Sequence, residues 1–249
     1  MIVLKTGNEI TQMREACKIT ALALRAGVDA VEPGKSTMDI NRVVHEVITA
    51  HGAKPSFLGY GGFPAAACIS INDHVIHGIP SKKIIIKEGD IVSIDVGALY
   101  NGYHGDSAFT VGAGEVAPEV QQLMDVTQKC LELGMAQALA GNRLGDIGSA
   151  VQTYAESFGY GVVRDYVGHG VGRQLHEEPE VPNYGIAGKG RRLASGMTIA
   201  IEPMINMKGA GVKTLDDGWT VITNSGLPSA HFEHTIAITD NGPVILTVL

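Results

Sequence analysis

Two rhythms of apolar residues alternate along the chain, a helical one and a strand-like one. From residue 9 to residue 26, Ile10, Met13, Cys17, Ala21 and Leu24 keep close to a helical period, which predicts an amphipathic helix. Ser36 is placed to cap a second helix, with Asp39 in an acidic first turn. Its apolar stripe holds Ile40, Val43, Val44, Val47 and Ile48, and Gly52 marks its end. Strand-like runs follow at 67–71, 91–96 and 103–111. The last two flank Asn101-Gly102, a pair suited to the type I′ turn of a tight hairpin. The order then starts again, with helical patterns at 116–140 and 144–158 and strand-like runs at 161–167, 198–205, 220–223 and 231–239.

The second set reads as a copy of the first. Gly27 pairs with Gly134, Gly34 with Gly141, Asp39 with Asp146 and Ile40 with Ile147; Val44 pairs with Val151, Gly52 with Gly159, Gly89 with Gly196 and Ile94 with Ile201. Every pair is 107 positions apart (134 − 27 through to 201 − 94). Glycine is abundant, 32 of 249 residues, so the run Gly34, Asp39, Ile40, Val44 against its copy carries the argument. A duplicated α+β fold is expected, with an antiparallel sheet covered on one face by helices and internal pseudo-two-fold symmetry. No Pro/Ser-rich linker divides the chain, so residues 1–249 read as a single domain, with halves of approximately 1–112 and 113–249. A site between the halves would draw residues from both.

Composition narrows the function. The chain is 45% hydrophobic and 18% charged, as compact globular proteins are. A formal net charge of −7 and the lack of a Lys/Arg cluster argue against nucleic acid as a partner. Cys17, Cys68 and Cys130 are odd in number and lack metal-ligand spacing, which points to a reducing compartment. Lys5, Glu9, Arg14 and Glu15 interrupt the start of the chain, leaving no apolar signal core, and no run nears the roughly 20 residues of a membrane span. A cytoplasmic protein without membrane association is expected, and monomer is the expected state.

The repeat carries a chemical hint, because Asp95 falls on Glu202 (202 − 95 = 107). Each ends an apolar run, where a carboxylate is costly unless it is paired or binds a metal. With the hairpin turn at Asn101-Gly102, Asp95 lies opposite residue 108 and Asp106 sits two residues along on the same face, roughly 7–8 Å away. Glu233 follows the apolar Phe232, and His169 has glycine on both sides, so backbone and ring can approach a site closely. Taken singly, each residue reads equally as a salt bridge, a cap or a solvated turn. Together, four carboxylates and an imidazole match the charge of two divalent cations, and oxygen-rich ligation favours Mn, Fe, Co or Zn.

These residues lie in a series of motifs: Ser-Ile-Asn at 70–72 with Val-Ile-His-Gly-Ile-Pro at 75–80, Ile-Asp-Val at 94–96, Gly-Tyr-His-Gly-Asp at 102–106 and Gly-His-Gly-Val-Gly at 168–172. His-Glu-Glu-Pro at 176–179, Ile-Glu-Pro at 201–203 and Phe-Glu-His-Thr at 232–235 complete it. With them the chain resembles the type I methionine aminopeptidases, of the short bacterial form without an N-terminal extension. The resemblance covers essentially the whole sequence and implies that family's pita-bread (creatinase/aminopeptidase) fold. It implies removal of the N-terminal methionine from nascent proteins and peptides, near the ribosome, with two divalent metal ions (Co, Mn, Fe or Zn). Asp95 would hold one ion, Asp106 and Glu233 would bridge both, and His169 and Glu202 would hold the other. The implied reaction is attack by a metal-bridging hydroxide on the first peptide carbonyl, with Glu202 relaying the proton. His176 would hydrogen-bond the carbonyl and its developing oxyanion, and His77 would contact the scissile nitrogen or the leaving amine. Without the resemblance, structural histidines are the plainer reading of both.

The resemblance also assigns Phe57, Tyr60, Phe63, Cys68, Leu175 and Trp219, with His77 and His176, to substrate binding around an apolar methionine pocket; ordinary core is the other reading of the apolar positions. Leu175 stands where an aromatic residue is frequent and Phe57 where a cysteine is common in some members. His231 stands where glutamine is usual, and could hydrogen-bond a ligand or substrate. Asn72, His74 and Ser229 match places where some relatives bind a monovalent cation. Two rivals remain. Proline-specific aminopeptidases and prolidases share the fold but usually carry a further N-terminal domain, for which 249 residues leave no room. Non-catalytic binding proteins on the same fold have lost ligands, whereas all five are present here.

Overall fold

The computed structural model describes residues 1–249. In the first half, α1 (Gly7–Asp29) and α2 (Thr37–Ala50) lead into β1 (Lys54–Pro55), β2 (Ala67–Ile71), β3 (His74–Ile76), β4 (Ile91–Tyr100) and β5 (Tyr103–Gly112). In the second, α3 (Pro118–Ala136) and α4 (Leu144–Ser157) lead into β6 (Gly161–Val162), β7 (Gly168–Gly170), β8 (Glu177–Val181) and β9 (Thr198–Ile201). Then come β10 (Met204–Asn206), β11 (Val212–Thr214), β12 (Val221–Thr223), β13 (Ser229–His231), β14 (His234–Thr239) and β15 (Gly242–Ile245). No helix is long and apolar enough to cross a membrane.

Local chemistry sets the helix ends. The Glu9 N–H donates to Thr6 Oγ1 (3.3 Å), and the Glu9 carboxylate accepts from the Thr6 N–H (3.0 Å), closing the start of α1. Ser36 and Asp39 make the same reciprocal pair at α2 (3.3 and 2.9 Å). At the matching position before α4 the serine is replaced by Arg143, yet Asp146 still accepts from the Arg143 N–H (2.7 Å).

The 107-residue offset is visible in the elements themselves. It relates α2 to α4 at both ends (144 − 37 and 157 − 50), β1 to β6 (161 − 54) and the start of β4 to that of β9 (198 − 91). The residues that repeat are those that fix how close the helices pack. A Cβ added at Gly27 would lie 2.9 Å from Val44 and 3.5 Å from Ile94; one added at Gly134 would lie 3.0 Å from Val151 and 3.4 Å from Ile201. Glycine at both places lets the long helix sink against the short helix and the central strand of its own half. Gly34 and Gly141 share left-handed backbone (φ 92° and 99°), which a side chain would strain.

All strand pairings are antiparallel, but they form four sheets rather than one. β5 and β2 flank β4, which β1 also joins; the others run β13-β10-β6, β11-β12-β3 and β15-β14-β9-β7-β8. Three of the expected strands are accordingly broken. The run at 198–205 divides at Glu202-Pro203, because Pro203 has no N–H to continue a ladder. Opposite it, the run at 231–239 divides at Phe232-Glu233, and the run at 161–167 leaves the ladder after Val162, to pair again as β7.

Each half has its own core. One cluster draws only on residues between Ile19 and Ala113, while the larger takes all its members but Ile91 from between Leu123 and Ile238. Phe109 packs against both, its ring edge-on to that of Phe232 at 4.9 Å.

Candidate metal centre

Asn101 and Gly102 both have positive φ (50° and 79°), the conformation of a type I′ turn, and they set the register of the hairpin. Asp95 then faces Ala108 and Gly97 faces Asp106, so the two aspartates project from one face. In the second half His234 pairs with Ile201 and His231 with Met204. Glu202 and Glu233 therefore oppose each other at the interruption in that ladder. His169 arrives on β7, which pairs with β9 through Gly170 and Ile199. All five side chains line one cavity of about 350 Å³.

Ligand-type atoms of Asp106, His169 and Glu233 lie within 4.8 Å of one another. His169 Nε2 is 3.7 Å from Asp106 and 3.6 Å from Glu202, beyond hydrogen-bond reach. Its Nδ1 lies 2.9 Å from the Gly170 carbonyl, to which it donates, so Nε2 presents a lone pair to the carboxylates. Burial holds the imidazole pKa down to about 3, so the ring is neutral.

The carboxyl groups are shifted the other way. Burial pushes Asp95 up to about 7 and Glu202 up to about 8. Glu202 keeps 12% of its side-chain surface open, but the opening is to the cleft and the surrounding protein still removes most of its hydration. Burial, reinforced by the neighbouring carboxylates, holds Asp106 and Glu233 well above the ordinary carboxylate range. Asp95 Oδ1, Asp106 Oδ1 and Glu233 Oε1 are buried without a hydrogen-bond partner, and so is His231 Nε2, 3.6 Å from Glu202. Orphaned carboxylate oxygens around a neutral imidazole form the donor set of a divalent-cation centre, and bound cations would supply the partners these oxygens lack.

The other end of the cavity is apolar. Phe57, Phe63, Cys68 and Leu175 are buried together with Ala65, and Trp219 packs on them, its ring edge-on to Phe63 at 5.1 Å. Tyr60 stands at the rim, with its hydroxyl 2.8 Å from His176 Nδ1. The His176 ring is 4.1 Å from that of His169. His77 adopts left-handed backbone (φ 58°), a conformation that costs a non-glycine residue about 1–2 kcal/mol, and its ring meets Tyr166 edge-on at 5.6 Å. Burial lowers its pKa to about 4.

Every residue singled out in the sequence as catalytic, metal-ligating or pocket-forming lines this one cavity. So do Ile76, Asp165, Tyr166 and Val167, which sequence reasoning missed. The strand-like pattern at 161–167 takes in Tyr166 and Val167, and their place just before Gly168-His169 is the signal for them. A further contact went unforeseen. The Lys5 ammonium donates to Glu177 in a buried ion pair, and Arg173 lies over the Tyr103 ring (4.6 Å) while donating to its hydroxyl (2.7 Å). These contacts hold both ends of the loop that carries Leu175 and His176.

Comparison with known proteins agrees with this geometry. The family model described as metallopeptidase family M24 matches residues 11–240. Over 248 residues the chain is 52% identical to a methionine aminopeptidase of Clostridium acetobutylicum, across 100% of this chain and 99% of that protein. A crystal structure of methionine aminopeptidase from Thermotoga maritima matches with a TM-score of 0.98 at 48% identity, over 100% of both chains. The prolidase from Pyrococcus furiosus matches less well, with a TM-score of 0.80 at 28% identity, over 99% of this chain and 66% of that one. A mixed α/β fold with antiparallel sheets, a cluster of buried acidic ligands and these likenesses agree: the chain belongs to metallopeptidase family M24, among its methionine aminopeptidases.

Proposed function

We propose that this chain is a metal-dependent aminopeptidase that removes the N-terminal methionine from peptides and nascent proteins. One observation carries the reading: an apolar pocket opens directly onto buried carboxylates whose oxygens have no partner. A flexible thioether side chain suits such a pocket, and seating it there would bring the first peptide bond to the acidic end.

Two divalent ions are proposed, drawn from Co, Mn, Fe and Zn, with Asp95 on one, Asp106 and Glu233 on both, and His169 and Glu202 on the other. When bound, such ions lower the pKa of a coordinated water and polarise a carbonyl oxygen. The chain's own residues would do the rest. His176, fixed through Nδ1 by the Tyr60 hydroxyl, keeps Nε2 to donate to the scissile carbonyl and to its developing negative charge. His77 is held neutral by burial and can accept or donate at the scissile nitrogen. The Glu202 carboxylate would carry a proton from the attacking water to the leaving amine. Phe57, Tyr60, Phe63, Cys68, Leu175 and Trp219 exclude water around the first side chain. Action on nascent chains in the cytoplasm as a monomer belongs to the same reading. So does a monovalent cation near Asn72, whose carbonyl accepts from the Ser229 N–H (2.9 Å).

The test is to incubate the Co²⁺- or Mn²⁺-loaded protein with Met-Gly-Met-Met and with an Ala-Pro peptide and to follow the first residue released. Methionine release from the first peptide alone is expected. Release from the Pro peptide alone would select a prolidase-like activity, and no release with any divalent ion would leave a binding module.

A further inference from the structure

The halves share one main-chain ladder, β3 with β12, but beside the acidic cluster β5 runs along β13 and β14 without one. The Glu233 N–H donates to the Ala108 carbonyl (2.9 Å), and the hydroxyls of Ser107 and two threonines make the other contacts described here. Thr235 Oγ1 accepts from the Asp106 N–H (3.1 Å) and donates to the Asp106 carbonyl (2.7 Å). Thr110 Oγ1 accepts from the His231 N–H (2.9 Å) and donates to the His231 carbonyl (2.7 Å). One offset relates both members of these clasps (231 − 106 and 235 − 110 are each 125), so they are images of each other under the pseudo-two-fold axis. Each threonine is almost wholly buried.

The two clasps hold different cargo. Thr110 grips His231, which lies outside the proposed ligand set. Thr235 grips Asp106 and stands two residues from Glu233 on the same segment. Of the contacts that set the spacing of the two carboxylates proposed to share both ions, the Thr235 hydroxyl is the one that grips Asp106 itself. Ser107 answers from the other side, donating to the Glu233 carbonyl (2.7 Å). Asp106 Oδ1 and Glu233 Oε1 have no hydrogen-bond partner of their own, so these contacts between β5 and β14 fix where the two groups stand. A hydroxyl that donates once and accepts once from the same residue fixes both position and rotation of that peptide segment.

We propose that Thr235 is a positioning residue for the metal centre, holding Asp106 beside Glu233, while its two-fold mate Thr110 is a structural copy of the same device. The inference rests on the ligand assignment given under Proposed function. The experiment compares Thr235→Val, which removes the two buried hydrogen bonds to Asp106, with Thr110→Val, which removes the two to His231 and a third to Ser93 Oγ (2.8 Å). Co²⁺ binding to the metal-free protein is measured by titration calorimetry, with Tm, kcat and KM on Met-Gly-Met-Met. Both variants should lose Tm, Thr110→Val at least as much as Thr235→Val. Thr235→Val should weaken Co²⁺ binding at least tenfold and lower kcat with KM within threefold, whereas Thr110→Val should bind Co²⁺ within threefold of wild type. Thr235→Ser, which keeps the hydroxyl, should restore binding. Equal loss of affinity in both variants, or none in a folded Thr235→Val, would overturn the proposal. Should Thr235→Val not fold, Thr235→Ala takes its place, with the same tenfold loss expected and retention of affinity overturning the idea. Wild type and Asp106→Asn are titrated alongside. Wild-type binding that survives Asp106→Asn would remove the ligand assignment and this inference together. Binding lost in Asp106→Asn but untouched in the Thr235 variants would remove the clasp alone.

Discussion

The acidic end and the apolar end of the cavity share one space and are built on opposite energetic terms. Phe57, Phe63, Cys68 and Leu175 are buried against one another with no polar group left over, so this wall stabilises the fold whether or not substrate is present. Asp95, Asp106 and Glu233 are as deeply enclosed and carry oxygens with nothing to bond. That end opposes folding until cations arrive, and the rest of each half must hold it together. The contrast separates what a variant does to chemistry from what it does to stability.

Asp106→Asn should break the contrast most sharply. Turnover should fall at least about a thousandfold, equivalent to roughly 4 kcal/mol of transition-state stabilisation, while the metal-free variant folds at least as well as wild type. Steady-state assays and thermal melts in chelator check the two halves of this outcome; activity within tenfold of wild type would remove the bridging role. Leu175→Ala should do the reverse, costing about 2–5 kcal/mol of stability in denaturant unfolding through the cavity it leaves. It should act on kcat/KM for methionine peptides while leaving Co²⁺ affinity unchanged, and a changed affinity would mean that the two ends are not separable.

The third effect is the smallest and depends on pH. Asp95 and Glu202 titrate near 7 and 8 in the folded metal-free chain, against ordinary values of 3.8 and 4.5. Below about pH 6.5 the buried histidines, held near 3 to 4 for His169, His77 and His234, work the other way, but above it they are neutral in both states. From there to about pH 8 the folded form binds more protons than the unfolded form, and stability falls as pH rises. The Tm of metal-free protein should drop by roughly 5 °C from pH 6.5 to pH 8.5. Saturating Co²⁺ should flatten that slope, because the cation replaces the protons. A metal-free Tm that rises over this range would show that these carboxyls are not buried in solution.

Much of this was legible in the sequence because a few residues admit only one backbone. Asn101-Gly102 fixed the hairpin, and the hairpin placed Asp95 opposite Ala108 with Asp106 on the same face. The glycine pairs gave the duplication because close crossings and left-handed turns recur wherever the same packing recurs. What stayed hidden was long-range. Runs at 198–205 and 231–239 look like unbroken strands, since apolar patterning reports burial and not whether a ladder continues. Pro203 was the warning, but the matching interruption at Phe232-Glu233 follows only from its partner strand. Thr110 and Thr235 read as ordinary strand threonines, because a hydroxyl's partner 121 or 129 residues away leaves no local mark. The four extra cavity residues differ in this: Ile76 adjoins His77, and Tyr166 and Val167 lie just before Gly168-His169, so proximity to a named histidine was the sign to follow.

The ion pair between Lys5 and Glu177 ties the stretch ahead of α1 to the loop beside the reaction centre. Glu177 adjoins His176, and stripping away that leading stretch would leave its carboxylate with the Gln174 N–H (3.1 Å) but without its counter-charge. Fraying or clipping of those few residues would then loosen the His176 imidazole while the two cores stayed intact. The stretch ahead of α1 is thus the buckle of the strap beside the cavity.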